Sequence, residues 1–424
     1  MNNLNKTICP IISFFEKDPE RIACIEGSNS LTFKDLNNLT NLWETKLLKK
    51  GVLPGDRICA ILPPSSDLIS LLFGAWRLKA SVAVLNPQLP MKQLELFLEE
   101  IKPQLIFGFE GKTYKRGEPL FQSLLLSTSG STGKAKIAIL SLSSLCMNAL
   151  NSLPLSPSDR WLLSLPLYHV SGIGIVLRCI LAGAAIVLNK HHPEITHLSL
   201  VPTQLYRESP VYPNLKCILL GGAPIPEFSS PLPIIETYGL TEMGSMVLAR
   251  EKSPRIDGQK YLGFPLPGRE MRLSKEGEIF VRGETRFEGY LENGAWTPIP
   301  KDVWFATKDI GIFNPQEGFA ILGRKDLQFI CGGENIQPEE IEQFILKIPG
   351  VLEAVVIPQK DPEFGEKPIA IIHSTKPPFS LPELTQILTP NLPKYKIPKN
   401  LYFTNELPKK GAKIDRQKII ATYS

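Results

Sequence analysis

Short apolar runs recur along the first 220 residues at intervals that a helix can fill. Arg57–Leu62, Ser81–Leu85, Leu162–Leu165, Ala185–Leu188, His197–Val201 and Lys216–Leu220 each read as a strand. Helical spacing lies between them. One helix opens at Leu31–Leu36, with Thr32 at the capping position and Asp35 three residues on, and Asp67 to Lys79 forms another. Apolar strands alternating with helices predict a largely parallel α/β sheet covered on both faces. Residues 1–120 show this rhythm, which Ile101 to Phe107 continues, and residues 121–250 repeat it. In the second half the strands run into polar or Gly/Pro loops: Pro166-Leu-Tyr-His169, Pro202-Thr203 and Gly221-Gly222-Ala223-Pro224. Ligands of such sheets sit at those loops, outside the carboxyl ends of the strands.

From about 260 to 324 the texture changes to short strands punctuated by Gly263, Gly268, Gly277, Gly283, Gly289 and Gly294, which predicts a small β subdomain. Residues 327–424 read as a compact α+β unit. It has helices at Pro338–Leu346 and Leu381–Leu388 and strands at Leu352–Ile357 and Ile369–His373. The expected organisation is therefore a large unit over 1–324, a junction at 325–326 and a small unit over 327–424. A chain of 424 residues has room for two or three domains.

A net charge of +5 without clustered Lys/Arg and interleaved aromatics excludes a nucleic-acid binder, while a mildly positive balance suits small anionic ligands. Seven scattered cysteines with no C-x-x-C spacing predict reduced thiols and a cytoplasmic protein. No leader-like apolar segment follows the polar start Met1–Lys6. The longest apolar stretch, Val170 to Leu188, is broken by Arg178 and rich in glycine, which predicts a buried strand–helix segment rather than a membrane span. Composition leaves the oligomeric state open, and a homo-oligomer is compatible with it.

Between Leu124-Leu125-Leu126 and Ile137–Leu140 lies Ser127-Thr128-Ser129-Gly130-Ser131-Thr132-Gly133-Lys134. The pattern is strand, flexible polar loop, strand. Glycines let a backbone approach an anion closely, and hydroxyls with backbone N–H groups can wrap phosphate oxygens. It is not a Walker A loop, since Thr128 and Ala135 stand where that motif needs Gly and Ser/Thr. A solvated hairpin turn has the same composition.

Four further stretches carry chemistry. Tyr238-Gly239-Leu240-Thr241-Glu242 offers an aromatic face, a hydroxyl and a carboxylate able to hold a hard cation such as Mg²⁺, or else makes an ordinary strand-end turn. Asp309 could accept both hydroxyls of a ribose, or stand as an exposed turn aspartate. Gly323-Arg324 and Gly332-Gly333-Glu334-Asn335 flank the domain junction. Lys409 to Arg416 is a basic C-terminal segment that composition alone cannot separate from a mobile tail.

In this order these stretches resemble the acyl-adenylate-forming superfamily of acyl- and aryl-CoA ligases, peptide-synthetase adenylation domains and luciferases. The resemblance covers essentially the whole chain. Within the superfamily it looks most like the o-succinylbenzoate–CoA ligase branch of menaquinone biosynthesis. This rests on Pro166–Gly172, Ser199–Arg207, Trp304–Asp309, Gly332–Glu340 and Glu363–Pro368. Two departures stand out: Ala135 replaces a proline usual in the phosphate loop, and Ala412 separates Gly411 from Lys413.

The resemblance implies ATP, Mg²⁺ and CoA as partners of 2-succinylbenzoate. Thr128, Ser129, Gly130, Ser131, Thr132, Gly133 and Lys134 would hold phosphates, with Thr241. Glu242 would hold Mg²⁺. Gly221, Gly222, Ala223, Pro224, Tyr238 and Gly239 would form the adenine slot, and Asp309 with Arg324 would hold the ribose. Lys413 would stabilise the adenylation transition state. Asp326 would be the hinge of a mobile small domain, whose Gly332, Gly333 and Glu334 face would enter with CoA. The substrate's second carboxylate calls for a charged partner. Arg207 is the candidate, with His169 and Ser171 lining the pocket. Arg178 is the weaker candidate, favoured instead as half of a structural pair. Competing classes are another aryl- or acyl-CoA ligase, a non-catalytic nucleotide binder, and an adenylation domain that loads a carrier protein.

Overall fold

A computed structural model describes residues 9–109, 114–128, 136–202, 204–205, 212–223, 225, 231–256, 258–376, 378–410 and 413–423. The α/β expectation holds. Two large sheets build the first 300 residues. The eight-stranded sheet runs, edge to edge, Ser245–Glu251, Ile234–Leu240, Cys217–Leu220, His197–Leu200, Arg160–Leu162, Ala185–Val187, Ile22–Glu26 and Asn29–Thr32. The seven-stranded sheet runs Ala295–Pro298, Gly289–Glu292, Lys136–Ser141, Ser123–Thr128, Ser81–Val84, Arg57–Ala60 and Leu105–Phe107. The central strands pair parallel; antiparallel pairs close both ends of the eight-stranded sheet, whereas the seven-stranded sheet is antiparallel from Ser123–Thr128 to Ala295–Pro298 and parallel out to Leu105–Phe107.

The helices Phe33–Lys49, Ser66–Arg77, Leu142–Leu150 and Val170–Ala182 share one apolar cluster with strand residues of both sheets, including Ala60, Val82, Leu124, Trp161 and Ile186. They form a layer between the sheets, which explains why these strands are apolar throughout. The first of these helices begins where the sequence predicts. Thr32 Oγ1 accepts the Asp35 N–H at 3.1 Å, and Asp35 Oδ2 accepts the Thr32 N–H at 2.9 Å, closing a capping box. Among the described residues no helix is long and apolar enough to cross a membrane, and all seven cysteines are free.

Three local expectations change. The strand read at Leu162–Leu165 lies at Arg160–Leu162, because Ser164 turns its hydroxyl onto Ser199 O at 2.5 Å instead of extending the ladder. The Val170–Leu188 run is helix first and strand second: Gly183, in the left-handed region, ends the helix Val170–Ala182 before the strand Ala185–Val187. Gly289–Glu292 and Ala295–Pro298 leave the small β unit and join the seven-stranded sheet through Lys136–Ser141. That unit is a four-stranded antiparallel sheet of Arg269–Leu273, Glu278–Gly283, Phe305–Asn314 and Gly318–Arg324.

After Arg324 the chain builds a separate apolar cluster around a five-stranded sheet, with the helices Pro338–Ile345 and Leu381–Leu388 packed on it. The helix Arg416–Tyr423 packs on the other face through Ile419.

Candidate active site

The glycine/hydroxyl loop is the tip of a hairpin. Ser123–Thr128 and Lys136–Ser141 pair antiparallel out to Thr128↔Lys136, and Thr128 Oγ1 donates to Lys136 O at 3.3 Å. Ser129, Gly130, Ser131, Thr132, Gly133 and Lys134 lie outside the described residues. The neighbouring strand Gly289–Glu292 places Tyr290 opposite Ala138. The Tyr290 hydroxyl donates to Glu242 Oε1 at 2.7 Å, and the Lys136 ammonium lies 5.0 Å from the Tyr290 ring centroid. Glu242 and Thr241 sit on a single 3₁₀ turn, Thr241–Met243, both half-buried. The hairpin base and the carboxylate read as a cation ligand are thus neighbours. Tyr290 was not picked out from the sequence; its only signal there is an aromatic directly after Gly289.

Tyr238 lies on the strand Ile234–Leu240, beside the loop that follows Cys217–Leu220. Gly221 packs on Thr237, and Gly222 and Ala223 are exposed, while Pro224 lies outside the described residues. The Tyr238 hydroxyl donates to Asp309 Oδ2 at 2.5 Å. Arg324 Nη1 donates to Asp309 Oδ1 at 3.1 Å, and its Nε and Nη2 each meet one oxygen of Asp326 at 3.1 Å. A single chain of polar contacts therefore runs from Tyr238 through Asp309 and Arg324 to Asp326.

Asp309 is not a turn residue. It stands inside the strand Phe305–Asn314, where a bulge opposite Glu278–Phe280 and Lys308 in the left-handed region (φ 63°) break the ladder. Bulges re-aim side chains, and Asp309 is left only 8% exposed. Burial raises its pKa against the opposing pull of Tyr238 and Arg324. Burial and the Asp309 charge push the Tyr238 hydroxyl well above its usual value, so it stays a neutral donor. Burial lowers the Arg324 pKa, but Asp326 and Asp309 more than offset this and leave it raised.

Of the residues expected to line the acyl pocket, His169 stands at the N-cap position of the helix Val170–Ala182 without a side-chain capping bond and is exposed, with its ring 4.8 Å from that of Tyr168; Ser171 is half-buried in the first turn. Arg207 lies outside the described residues. Arg178, favoured from the sequence as half of a structural pair, has no acidic partner among the described residues. It is 3% exposed. Its Nε donates to Ser152 Oγ at 2.9 Å, its guanidinium lies 5.5 Å from the Trp161 centroid, and Nη2 meets no described acceptor. Burial pushes its pKa down to about 10. One turn earlier stands Gly174, where a Cβ would come within 3.3 Å of both terminal nitrogens. The glycine lets a buried cation without a described anion pack directly against the helix backbone.

At the junction, Arg324 N–H donates to Glu339 Oε1 at 3.1 Å, and Gln337 Nε2 donates to Arg324 O at 3.0 Å and to Glu339 Oε2 at 2.5 Å. Gly323 (φ 153°) passes so close that a Cβ would lie 2.4 Å from Gln337 Nε2. The small domain thus clasps the backbone next to Asp326. Gly332 and Gly333 turn a hairpin with left-handed φ values of 58° and 87°, with Glu334 exposed. Lys413 begins a two-residue strand paired with Lys409–Lys410, and its side chain lies outside the described residues.

Residues 13–125 and 122–291 match the AMP-binding enzyme family, and residues 340–413 match the AMP-binding enzyme C-terminal domain. The chain belongs to the AMP-binding enzyme family. Among curated members it is 36% identical over 440 residues to the 2-succinylbenzoate–CoA ligase of Escherichia coli, covering 94% of each chain. Among solved members, it superposes on the o-succinylbenzoate–CoA synthetase of Bacillus subtilis with its acyl-adenylate intermediate at a TM-score of 0.82, with 26% identity and 97% of each chain covered. The complex of that synthetase with ATP and magnesium gives a TM-score of 0.84 at 25% identity, covering 97% of this chain and 99% of that one.

In this AMP-binding enzyme, no group of three or more His, Cys, Asp or Glu side chains converges among the described residues. A lone carboxylate fits Mg²⁺ that arrives on nucleotide phosphates, since that ion keeps waters and takes one or two protein carboxylates. Glu242 has an oxygen for it: Oε2 meets no described partner.

Proposed function

We propose that this enzyme is an ATP-dependent ligase that converts 2-succinylbenzoate to its CoA thioester, with AMP and pyrophosphate as products, in menaquinone biosynthesis. The observation that carries the choice of acid is Arg178, a buried guanidinium with an Nη2 that meets no described acceptor. The names of the E. coli relative and of the B. subtilis synthetase point to the same acid. A buried cation of this kind rewards an anion, and 2-succinylbenzoate keeps one carboxylate after the other is activated. Arg207, Ser171 and His169 belong to the same pocket in this account. A long acyl chain would leave Arg178 without a partner.

The carboxylate attacks the α-phosphorus of ATP, forming the acyl-adenylate and releasing pyrophosphate. The CoA thiol then attacks the acyl carbon and expels AMP. Two anions meet in the first step, so fixed dipoles and cations must hold them. In this account Thr128, Ser129, Gly130, Ser131, Thr132, Gly133 and Lys134 hold the phosphates with Thr241. Glu242 would hold Mg²⁺, which would supply positive charge to neutralise the phosphates. Tyr238, Gly239 and the loop Gly221–Pro224 flank the adenine, and Asp309 with Arg324 takes the ribose. Lys413 stabilises charge at the reacting carboxylate and phosphate. Residues 1–324 carry both substrates. The unit 327–424 turns about 325–326, withdrawing Lys413 and bringing Gly332, Gly333 and Glu334 towards CoA. The clasp of Gln337 and Glu339 on Arg324 is a contact such a turn must break. Seven free thiols suit a cytoplasmic enzyme.

The test is pyrophosphate release by the full chain with ATP and Mg²⁺ across 2-succinylbenzoate, benzoate, and medium- and long-chain fatty acids. Selective turnover of 2-succinylbenzoate is expected. Preferential turnover of a fatty acid would overturn the assignment while leaving the fold untouched.

A further inference from the structure

Glu242 stands on one short turn, and its carboxylate makes a single described side-chain bond, from the Tyr290 hydroxyl to Oε1 at 2.7 Å. An unheld glutamate samples several rotamers, and a weakly held cation would have to select one of them. Here one oxygen is fixed and the other left open.

Tyr290 is itself fixed from several sides. Its strand is paired on both edges, to Ala138 and to Thr297. Its ring meets Phe287 edge-on at 4.8 Å, and the Phe287 N–H donates to Glu242 O at 2.8 Å, tying the same two segments by backbone. The Lys136 ammonium lies 5.0 Å from the ring centroid and 3.6 Å from Glu292 Oε1. Lys136 is the residue at which the glycine/hydroxyl loop rejoins the sheet. One aromatic side chain therefore touches both the acid and the root of that loop. A phenol suits the task because it donates one hydrogen bond while leaving the carboxylate its charge. Glu242 is only half-buried, so water could have satisfied Oε1; a protein donor adds orientation rather than mere satisfaction.

We propose that Tyr290 is a positioning residue for metal binding: its hydroxyl orients Glu242 so that Oε2 takes the Mg²⁺ of Mg·ATP. This rests on the ATP-dependent ligase reading given above, and on Glu242 as the metal-facing acid.

The experiment is ATP binding by calorimetry to the full chain, without any acid substrate, in the presence and absence of Mg²⁺. In Tyr290→Phe the metal-free affinity should stay within about twofold of the parent. The gain in affinity that Mg²⁺ brings should shrink on the order of tenfold, the usual scale for losing a partner that orients a metal ligand. Half-saturation by Mg²⁺ in pyrophosphate release should rise in step. Glu242→Gln should lose the same gain, and the double variant should lose no more than either single one. If Tyr290→Phe does not fold, the Lys136→Met variant keeps the hydroxyl–carboxylate bond and must keep the full Mg²⁺ gain. An unchanged Mg²⁺ titration in Tyr290→Phe, an equal loss of affinity with and without metal, or a Lys136→Met variant without the gain would overturn the proposal. A parent whose ATP binding ignores Mg²⁺ would overturn both this and the ligase reading. Failure on the acid panel with Mg²⁺-dependent ATP binding intact would overturn the choice of acid alone.

Discussion

Replacing Arg178 by methionine should make the protein more stable and less selective. The guanidinium is 3% exposed and meets no described carboxylate. Burial holds its pKa near 10, which corresponds to roughly 3 kcal/mol against the charged form. Two contacts offset part of that cost. The bond to Ser152 Oγ contributes about 1 kcal/mol. The stacking on Trp161 contributes about 1 kcal/mol more. Methionine has similar volume and no charge to desolvate, so Arg178→Met should gain on the order of 1 kcal/mol, within the range seen when buried ionic groups are replaced by apolar ones. The substrate pays the opposite way. Losing a desolvated, hydrogen-bonded charge contact costs about 2–5 kcal/mol, or roughly 30-fold to a few thousandfold in kcat/KM for 2-succinylbenzoate. Its analogue lacking the carboxylate that is not activated should change by no more than about threefold, because it never used the contact. Urea unfolding and pyrophosphate-release kinetics on both acids measure the two halves. A variant that is less stable yet keeps the parent's preference for the diacid would refute the reasoning, since Arg178 would then be a structural residue.

Three further outcomes follow from particular contacts. Asp309 accepts from Tyr238 with one oxygen and from Arg324 with the other, so Asp309→Asn turns a donor toward one of them and should weaken AMP binding on the order of tenfold; calorimetry showing parent-like affinity would contradict the ribose assignment. Gly323→Ala puts a Cβ 2.4 Å from Gln337 Nε2 and 2.8 Å from the Glu339 carboxyl carbon. It should loosen the clasp by about 1–3 kcal/mol, seen as faster limited proteolysis around 325–337, and unchanged cleavage would show that the clasp carries no such weight. His197 is buried against Trp161, and burial lowers its pKa below 6.5 despite Asp159. The fold therefore prefers the neutral ring: its contribution to stability is complete above pH 6.5 and is lost as pH falls from there through the lower folded value. His197→Asn should flatten that slope between about pH 7 and 5, and an identical pH profile would exclude His197 as its source.

Local signals were the readable part of this chain. Thr32 and Asp35 stand at the spacing of a capping box and form one. Pro338 opens a helix, and Leu381–Leu388 is helical over the predicted span. These features depend on neighbours within four residues. What could not be read depends on partners far along the chain. Gly289–Glu292 has no local mark that sends it to Lys136–Ser141, about 150 residues earlier, and with that pairing Tyr290 reaches Glu242. Asp309 could be a ribose ligand or an exposed turn aspartate as far as its neighbours in sequence show, because the bulge that turns it inward is set by the register with Glu278–Phe280. The clasp of Gln337 and Glu339 on Arg324 is a tertiary contact across the junction. A buried arginine within an apolar run reads most simply as a structural pairing; only the fold reveals that its neighbours are Ser152, Trp161 and the close backbone of Gly174.

Oxygen tracing bears most directly on the adenylation chemistry. The full chain would be given 2-succinylbenzoate labelled with ¹⁸O in its carboxylates, together with ATP, Mg²⁺ and CoA, and the products weighed by mass spectrometry. Attack of the carboxylate on the α-phosphorus predicts AMP carrying one labelled oxygen, unlabelled pyrophosphate, and a CoA thioester that has lost one label. Label in phosphate or pyrophosphate, or ADP in place of AMP, would contradict the account.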